Sequence, residues 1–360
     1  MIEYNIHNNI IIKNKKVLFI CGTMNTTTML HAISRELSEM DCYFTHMYAD
    51  GLLDFLAKKD LLNFVPLSGP IKQSTVKYFQ DNNLKIDYYG KANDYDLVVT
   101  CTDLIIPRNI KNTKIVHVQE GMTDPEDLRY LLVKYFKFPQ YLASTSVMGL
   151  SDEYDIFCVA SEGYKAKFIK KGVRAEKIRV TGIPNYDNCK SYTQNNFPHR
   201  NFVLVATSDA RETFKYENRS KFIKNAIKIA DGRQLIFKLH PNEKVERATR
   251  EIKRLAPDAI VYSSGNIHEM IANCDVLITK YSTVVYTGIA LGKEVLSEID
   301  IDELISLSPL QNGGSSAVNI ANECRILIGN KVKRKKANLL KFQPLKPIRN
   351  AFVNLVASVV

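Results

Sequence analysis

Residues 16–40 read KVLFICGTMNTTTMLHAISRELSEM. The opening KVLFIC is an apolar run of the length of one buried strand, and GTMNTTT after it is polar. Leu30, Ile33, Leu37 and Met40 then recur at helical spacing, so the segment predicts strand, loop and helix in that order. The pattern repeats with apolar runs at 96–101 (DLVVTC), 114–118 (KIVHV) and 156–160 (IFCVA), separated by helical stretches. Strands alternating with helices imply an open parallel sheet covered on both faces.

A second unit begins near Asn201. NFVLVATS (201–208) reads as a strand, and Phe222, Ile223, Ala226, Ile227 and Ala230 form a helical stripe that ends at Gly232. QLIFKLHP (234–241) is the next strand, followed by a helix over 244–255, the strand AIVYSS (259–264), a short helix at 267–273 and the strand DVLITK (275–280). STVVYTGIALG (282–292) closes the series as a helix. The polar SYTQNNFPHR (191–200), with Pro198, is the natural linker. The expected fold is α/β, two doubly wound Rossmann-like domains facing a cleft in the GT-B arrangement. Residues 1–193 form the acceptor-side domain, 200–330 the donor-binding domain and 331–360 a basic tail. Ligands in such sheets bind beyond the carboxyl ends of the strands, which directs attention to the loops that follow them.

Composition narrows the function classes. With 360 residues, 45% hydrophobic and 24% charged, the chain is globular. Its net charge of +11 is concentrated at the end: eight basic residues from Lys331 onward, including the cluster Lys331 to Lys336, meet no acidic one, which leaves +3 over residues 1–330. A basic run followed by an apolar stretch suits an anionic membrane surface, a partner, or a helix packed on the body. Nucleic acid is disfavoured, because the tail offers only Phe342 and Phe352 for stacking. No apolar run reaches membrane-spanning length and the start lacks the order of a secretory leader, so the expectation is a cytoplasmic enzyme, peripheral at the inner membrane. Seven scattered cysteines without a C-x-x-C read as reduced core thiols.

Four loops after strands carry chemistry-bearing residues. Lys238, His240 and Pro241 end one strand, where proline stops the ladder and leaves the imidazole able to donate to a phosphate or leaving oxygen. Ser282 and Thr283 stand where a strand passes into a helix, a place for an anion. Glu120 precedes Gly121 after the strand 114–118, so a carboxylate faces the cleft as a general base. Gly22, Thr23 and Thr26, in the hydroxyl-rich loop after the first strand, are candidates for holding acceptor hydroxyls. Arg211, in the loop 208–219, is a candidate phosphate fork. No His/Cys cluster or H-E-x-x-H occurs, so neither metal nor cofactor is expected.

KLHP (238–241), NIHEMIANCDVLIT (266–279) and YSTVVYTGIALGKEV (281–295) together resemble a GT-B group. It includes capsule-polysaccharide and CDP-glycerol transferases and, more distantly, the non-hydrolysing UDP-N-acetylglucosamine 2-epimerases. QEG (119–121) is similar to the acidic-acidic-glycine motif that accompanies an HP motif in bacterial sialyl- and Kdo-transferases, and VTGIPNYD (180–187) to the phrase closing the first domain. The resemblance implies a metal-independent, inverting glycosyltransferase moving a sugar from a nucleotide-sugar donor to a cell-surface glycan or lipid-linked acceptor. His240 would contact the donor phosphate, Ser282 and Thr283 the phosphate or a sugar carboxylate, and Glu120 would act as base. Transfer from a CDP-polyol and nucleotide-sugar 2-epimerisation are the alternatives. Two departures stand out: Gln119 occupies the motif's first acidic position, and Tyr281-Ser282-Thr283 replaces the epimerases' Ser-Gly-Gly, which argues against UDP bound in their manner.

Overall fold

The computed structural model describes residues 14–63, 65–212 and 216–329. Two sheets, parallel throughout, carry the chain. The first is built from β1 (Lys16–Cys21), β2 (Asp41–His46), β3 (Leu97–Thr100), β4 (Lys114–Val118), β5 (Ile156–Val159) and β6 (Ile178–Val180), in the order β2-β1-β3-β4-β5-β6. The second contains β7 (Val203–Ala206), β8 (Leu235–Lys238), β9 (Ile260–Tyr262), β10 (Val276–Ile278) and β11 (Glu294–Leu296), ordered β11-β10-β7-β8-β9. Val17 to Cys21 lie buried between β2 and β3, with Val17 in register with Cys42 on one side and Leu97 on the other. Continuous apolar runs are what strands buried on both faces require. The two α/β units anticipated from the strand–helix alternation are present.

The helices fill in as their stripes demand. α1 (Met24–Arg35) buries Met29, Leu30 and Ile33 on the first sheet, and Thr23 caps it by accepting the Thr26 N–H. α2 (Gly51–Lys58), α3 (Gly69–Asp81), α4 (Leu128–Phe136) and α5 (Glu162–Lys171) complete the first unit. α6 (Arg219–Ala230), α7 (Val245–Leu255), α8 (Ile267–Asn273) and α9 (Val285–Ala290) accompany the second sheet. The helix expected over 282–292 is therefore shorter: it starts three residues late, because 282–284 form a turn whose Thr283 side chain meets the other unit.

Three strands escape the pattern reading, and all lie at sheet edges: β2, β6 and β11. An edge strand covers only one neighbour and carries polar residues, as DCYFTH, IRV and EVL do. The packing also departs from a second unit reaching residue 330. α10 (Ile301–Leu307) and α11 (Ser316–Gly329) contribute Leu304, Leu307, Ile320, Cys324 and Leu327 to the first unit's core. Lys114 Nζ donates to the Leu327 carbonyl at 2.8 Å, and Arg325 pairs with Glu39 at 2.7 Å. All seven cysteines are free thiols and six are buried. No described helix is long and apolar enough to cross a membrane. The basic tail, with Lys331 to Lys336, lies outside the described residues.

Close helix contact holds α10 against α5. A Cβ on Gly163, in the first turn of α5, would run into the Ser306 carbonyl of α10. A backbone obstacle cannot rotate away, so Gly163→Ala is expected to destabilise the fold by about 1–3 kcal/mol. Thermal unfolding should show a Tm lower by several degrees.

Candidate functional site

Strand order locates the site. In the second sheet β7, β8 and β9 run outward in one direction and β10 and β11 in the other, so the order reverses between β7 and β10. A crevice forms at such a switch point because the two flanking loops part. A pocket of about 440 Å³ lies there. Its walls are Ser208, Asp209 and Ala210 from the loop after β7, Lys280 to Thr283 from the loop after β10, Met122, Asp124, Pro125, Asp127 and Arg129 contributed by the first unit after β4, and Tyr216 and Glu298. Asp124, Asp127, Asp209 and Glu298 face it with Arg129 and Lys280. Both cations are paired, Lys280 with Glu298 at 3.1 Å and Arg129 with Asp127 at 2.6 Å. Carboxylates and hydroxyls in this proportion accept hydrogen bonds well, which suits a ligand rich in hydroxyl donors.

Glu120 does not itself line this pocket; it lies two residues before Met122, in the turn that Thr283 touches. Its carboxylate accepts the Thr23 hydroxyl at 3.2 Å, while the Glu120 carbonyl accepts from Asn25 Nδ2 at 3.3 Å. Asn25 is itself held by Asn185, whose amide donates to the Asn25 side-chain oxygen at 2.7 Å. Burial raises the Glu120 pKa above the ordinary carboxylate value; the Thr23 bond opposes the shift and the Asp124 charge adds to it. A carboxyl of raised pKa is the tuned acid or base that proton-transfer chemistry near neutral pH needs. Neighbouring Gln119 has no such freedom. Its buried amide donates to the Gly121 carbonyl at 2.8 Å and accepts the Ala160 N–H at 2.9 Å, tying the turn to the end of β5.

Thr283 brings the two units into contact. Its hydroxyl accepts the Met122 N–H at 3.3 Å, and a Cβ on Gly121 would lie 2.9 Å from its side chain. Tyr186, buried, lies beside Thr283, and burial together with nearby Tyr192 and Glu120 pushes its phenol pKa up. Glu120 and Thr283, about 160 positions apart, thus belong to one constellation with Ser282 on the pocket wall.

Other sequence candidates are placed differently. His240 is not part of the pocket wall: it follows β8, on the side of β7 away from β10, and its Nδ1 accepts the Asn242 N–H at 3.2 Å and lies 3.7 Å from Asp209. Among the described hydrogen bonds none joins the imidazole to Ser282 or Thr283; it lies instead beside Asp209, which shares the pocket wall with them. Pro241 lines a separate crevice with Asn63, Pro70 and Asn242. Lys238, expected at phosphate, is buried and donates to the Leu239 carbonyl at 2.9 Å; burial lowers its pKa. Arg211 is no open fork either, since its guanidinium bonds Glu251 at 2.9 and 3.0 Å and lies near Glu217 and Glu243. Among the acceptor candidates only Thr23 reaches the site. The Thr26 hydroxyl accepts the Gly22 N–H and donates to the Thr23 carbonyl, and the Gly22 carbonyl accepts from Thr75, so both shape the loop.

Residues that the sequence reading passed over complete the picture: Asn25, Tyr186, Lys280 and His268. His268 stacks on Tyr192 with ring centroids 4.7 Å apart, its Nδ1 meets the Thr287 hydroxyl at 2.9 Å, and burial lowers its pKa to about 4. The phrases 180–187 and 266–279 contain Tyr186 and His268, but nothing local marks either as facing the other unit. Among the described residues no group of three or more His, Cys, Asp or Glu is placed to hold a metal ion.

The architecture has solved relatives. The chain is similar to a UDP-GlcNAc 2-epimerase from Neisseria meningitidis bound to UDP-GlcNAc, with TM-score 0.54, 12% identity, and 86% of this chain and 99% of that one covered. It is likewise similar to another UDP-N-acetylglucosamine 2-epimerase, with TM-score 0.52, 15% identity and coverage of 90% and 99%. A third similar structure is Anabaena Alr3699/HepE in complex with UDP and glucose, with TM-score 0.51, 13% identity and coverage of 86% and 98%. At such identities the likeness shows the fold alone, two parallel-sheet α/β units in a GT-B-like arrangement. No protein-family model and no curated protein sequence matches the chain.

The carboxyl environment yields a stability test. Because the folded-state pKa of Glu120 lies above its ordinary value of 4.5, the folded protein holds that proton to higher pH than the unfolded chain. Its contribution is most favourable below about pH 4.5 and is lost as pH rises through the raised value. Glu120→Gln is therefore expected to raise Tm relative to the parent at pH 8, with the gain shrinking toward pH 4; Tm measured across that range checks the sign.

Proposed function

We propose that this protein is a nucleotide-sugar enzyme whose substrate lies in the pocket between the β7 and β10 loops, with Glu120 as its acid/base group. The observation carrying this reading is the placement of a half-buried carboxyl of raised pKa, bonded to Thr23, beside the Thr283 contact at the switch-point crevice. In this reading Ser282, Lys280 and the backbone of the 281–284 turn receive the diphosphate, and the Asp124 and Asp209 side of the pocket receives sugar hydroxyls.

Of the possible reactions, 2-epimerisation comes first, ahead of the glycosyl transfer favoured by the sequence motifs. The support is similarity of fold over nearly the whole chain to UDP-GlcNAc 2-epimerases. An epimerase needs a group that removes and returns a proton at one sugar carbon and a site that retains the nucleotide, and Glu120 fits the first requirement. One observation favours transfer instead: Tyr281-Ser282-Thr283 stands where the epimerase motif has Ser-Gly-Gly, and Thr283 is occupied with Met122. Transfer from a CDP-polyol is a reading of the KLHP motif with the Ser282-Thr283 helix start; those hydroxyl residues line the pocket, whereas His240, like Glu120, does not.

Incubation with UDP-GlcNAc in D2O separates the two. Epimerisation places one deuterium on sugar C2 while the product still carries UDP; transfer or hydrolysis releases UDP and leaves C2 unlabelled. Under either reaction Glu120→Gln should lower turnover by about 100-fold or more, while the rise in Tm that nucleotide produces is retained. Full activity in Glu120→Gln would remove Glu120 from its assigned role.

A further inference from the structure

α4 buries one face and exposes another that is equally apolar. Tyr130 and Val133 pack inward against Ala143 and Val147. On the outer side Leu128, Leu131 and Tyr135 follow at spacings of three and four, 64%, 40% and 56% exposed. Phe136 ends the helix 69% exposed, and Phe138 continues the surface after Lys137 turns the chain with φ 55°. A stripe of this kind normally faces a core, so its exposure marks a surface with a partner.

Charge identifies the partner. Residues 128–151 contain Arg129, Lys134 and Lys137 and no Asp or Glu. Lys134 places its ammonium over the Tyr130 and Tyr135 rings, at 5.2 and 5.7 Å, with its stem along the apolar side chains. The nearest preceding acids are neutralised locally: Asp127 pairs with Arg129, and Glu126 with the buried Lys171 at 3.6 Å. Aromatic rings at a boundary, aliphatic side chains between them and cations alongside form the composition of an interfacial helix on anionic lipid. A second copy is a poorer occupant, since a two-fold axis through the patch would bring its lysines toward their own images.

We propose that the outer face of α4 and the aromatic turn after it form a docking surface for an anionic bilayer. Leu131, Tyr135, Phe136 and Phe138 enter the interface, and Lys134 and Lys137 meet the headgroups. The surface is distinct from the basic tail and does not rest on the nucleotide-sugar reading. Since Asp127 and Arg129 at the start of α4 also line the cleft pocket, docking sets the mouth of that pocket beside the lipid.

The test uses the full chain with sucrose-loaded vesicles of phosphatidylcholine, with and without about 30% phosphatidylglycerol. Leu131→Ser/Tyr135→Ser/Phe136→Ser, checked for folding by circular dichroism, should reduce partitioning onto the anionic vesicles by about tenfold or more. Binding equal to the parent would assign attachment to the tail and overturn the proposal. The chain has no tryptophan, so Phe136→Trp supplies a single reporter even if the triple variant fails to fold. A blue shift of its emission only with anionic vesicles supports the proposal. No shift with vesicles overturns it. So does a blue emission already present without lipid, which would mean cover by the chain's own C-terminal apolar stretch, or a shift that grows with protein concentration, which would mean a second copy.

Discussion

The contact on which the candidate site depends joins the turn after β4 to the loop after β10: the Thr283 hydroxyl accepts the Met122 N–H at 3.3 Å while its side chain fills the space beside Gly121. Glycine at 121 is what allows the approach, since any Cβ there would press on Thr283. The turn 119–122 is fixed from behind by the Gln119 amide and from the side by Asn25 and Asn185. The carboxyl of Glu120 is therefore set by a chain of bonds that begins in α1 and ends on the β10 loop. Were the β10 loop to relax away from this turn, the carboxyl would gain solvent and lose the raised pKa on which its proposed chemistry depends.

The charges around the pocket bear on the ligand proposed for it. Four carboxylates and two paired cations make it a weak trap for a bare anion and a good one for a ligand that offers many hydroxyls along with its phosphates. A phosphate entering must draw Lys280 or Arg129 from Glu298 or Asp127, or use hydroxyls and backbone N–H groups in the 281–284 turn. The stacked His268 and Tyr192, bonded through Thr287 to α9, hold the linker region against the second sheet just behind that turn. The same elements that shape the pocket thus fix how the units face each other.

The sequence determined a good part of this protein. Apolar runs bounded by polar loops specified the central strands of both sheets, because strands buried on two faces leave no room for polar side chains. The two-unit organisation and the relevance of the loops after β1, β4 and β10 followed from that alternation. Glu120, Thr23, Ser282 and Thr283 were legible as residues at carboxyl ends of strands. The edge strands β2, β6 and β11 were not, since DCYFTH, IRV and EVL mix polar with apolar residues, unlike IVY of the fourth edge strand β9.

Tertiary structure decided which of those residues meet. Lys238, His240 and Arg211 follow strands as the others do, yet Lys238 is buried and bonded to the Leu239 carbonyl, His240 follows β8 and lies beside Asp209, and Arg211 is occupied by Glu251. Strand order is the reason. Spacing along the chain shows that a loop follows a strand, but only the order β11-β10-β7-β8-β9 shows that the loops after β7 and β10 flank the opening and that the loop after β8 does not. Order is set by long-range pairing of backbone groups that are alike in every strand, so it leaves no mark in any local pattern. Residues such as Tyr186 and His268 acquire their roles in the same way, from contacts across the linker that exist only once both sheets are built.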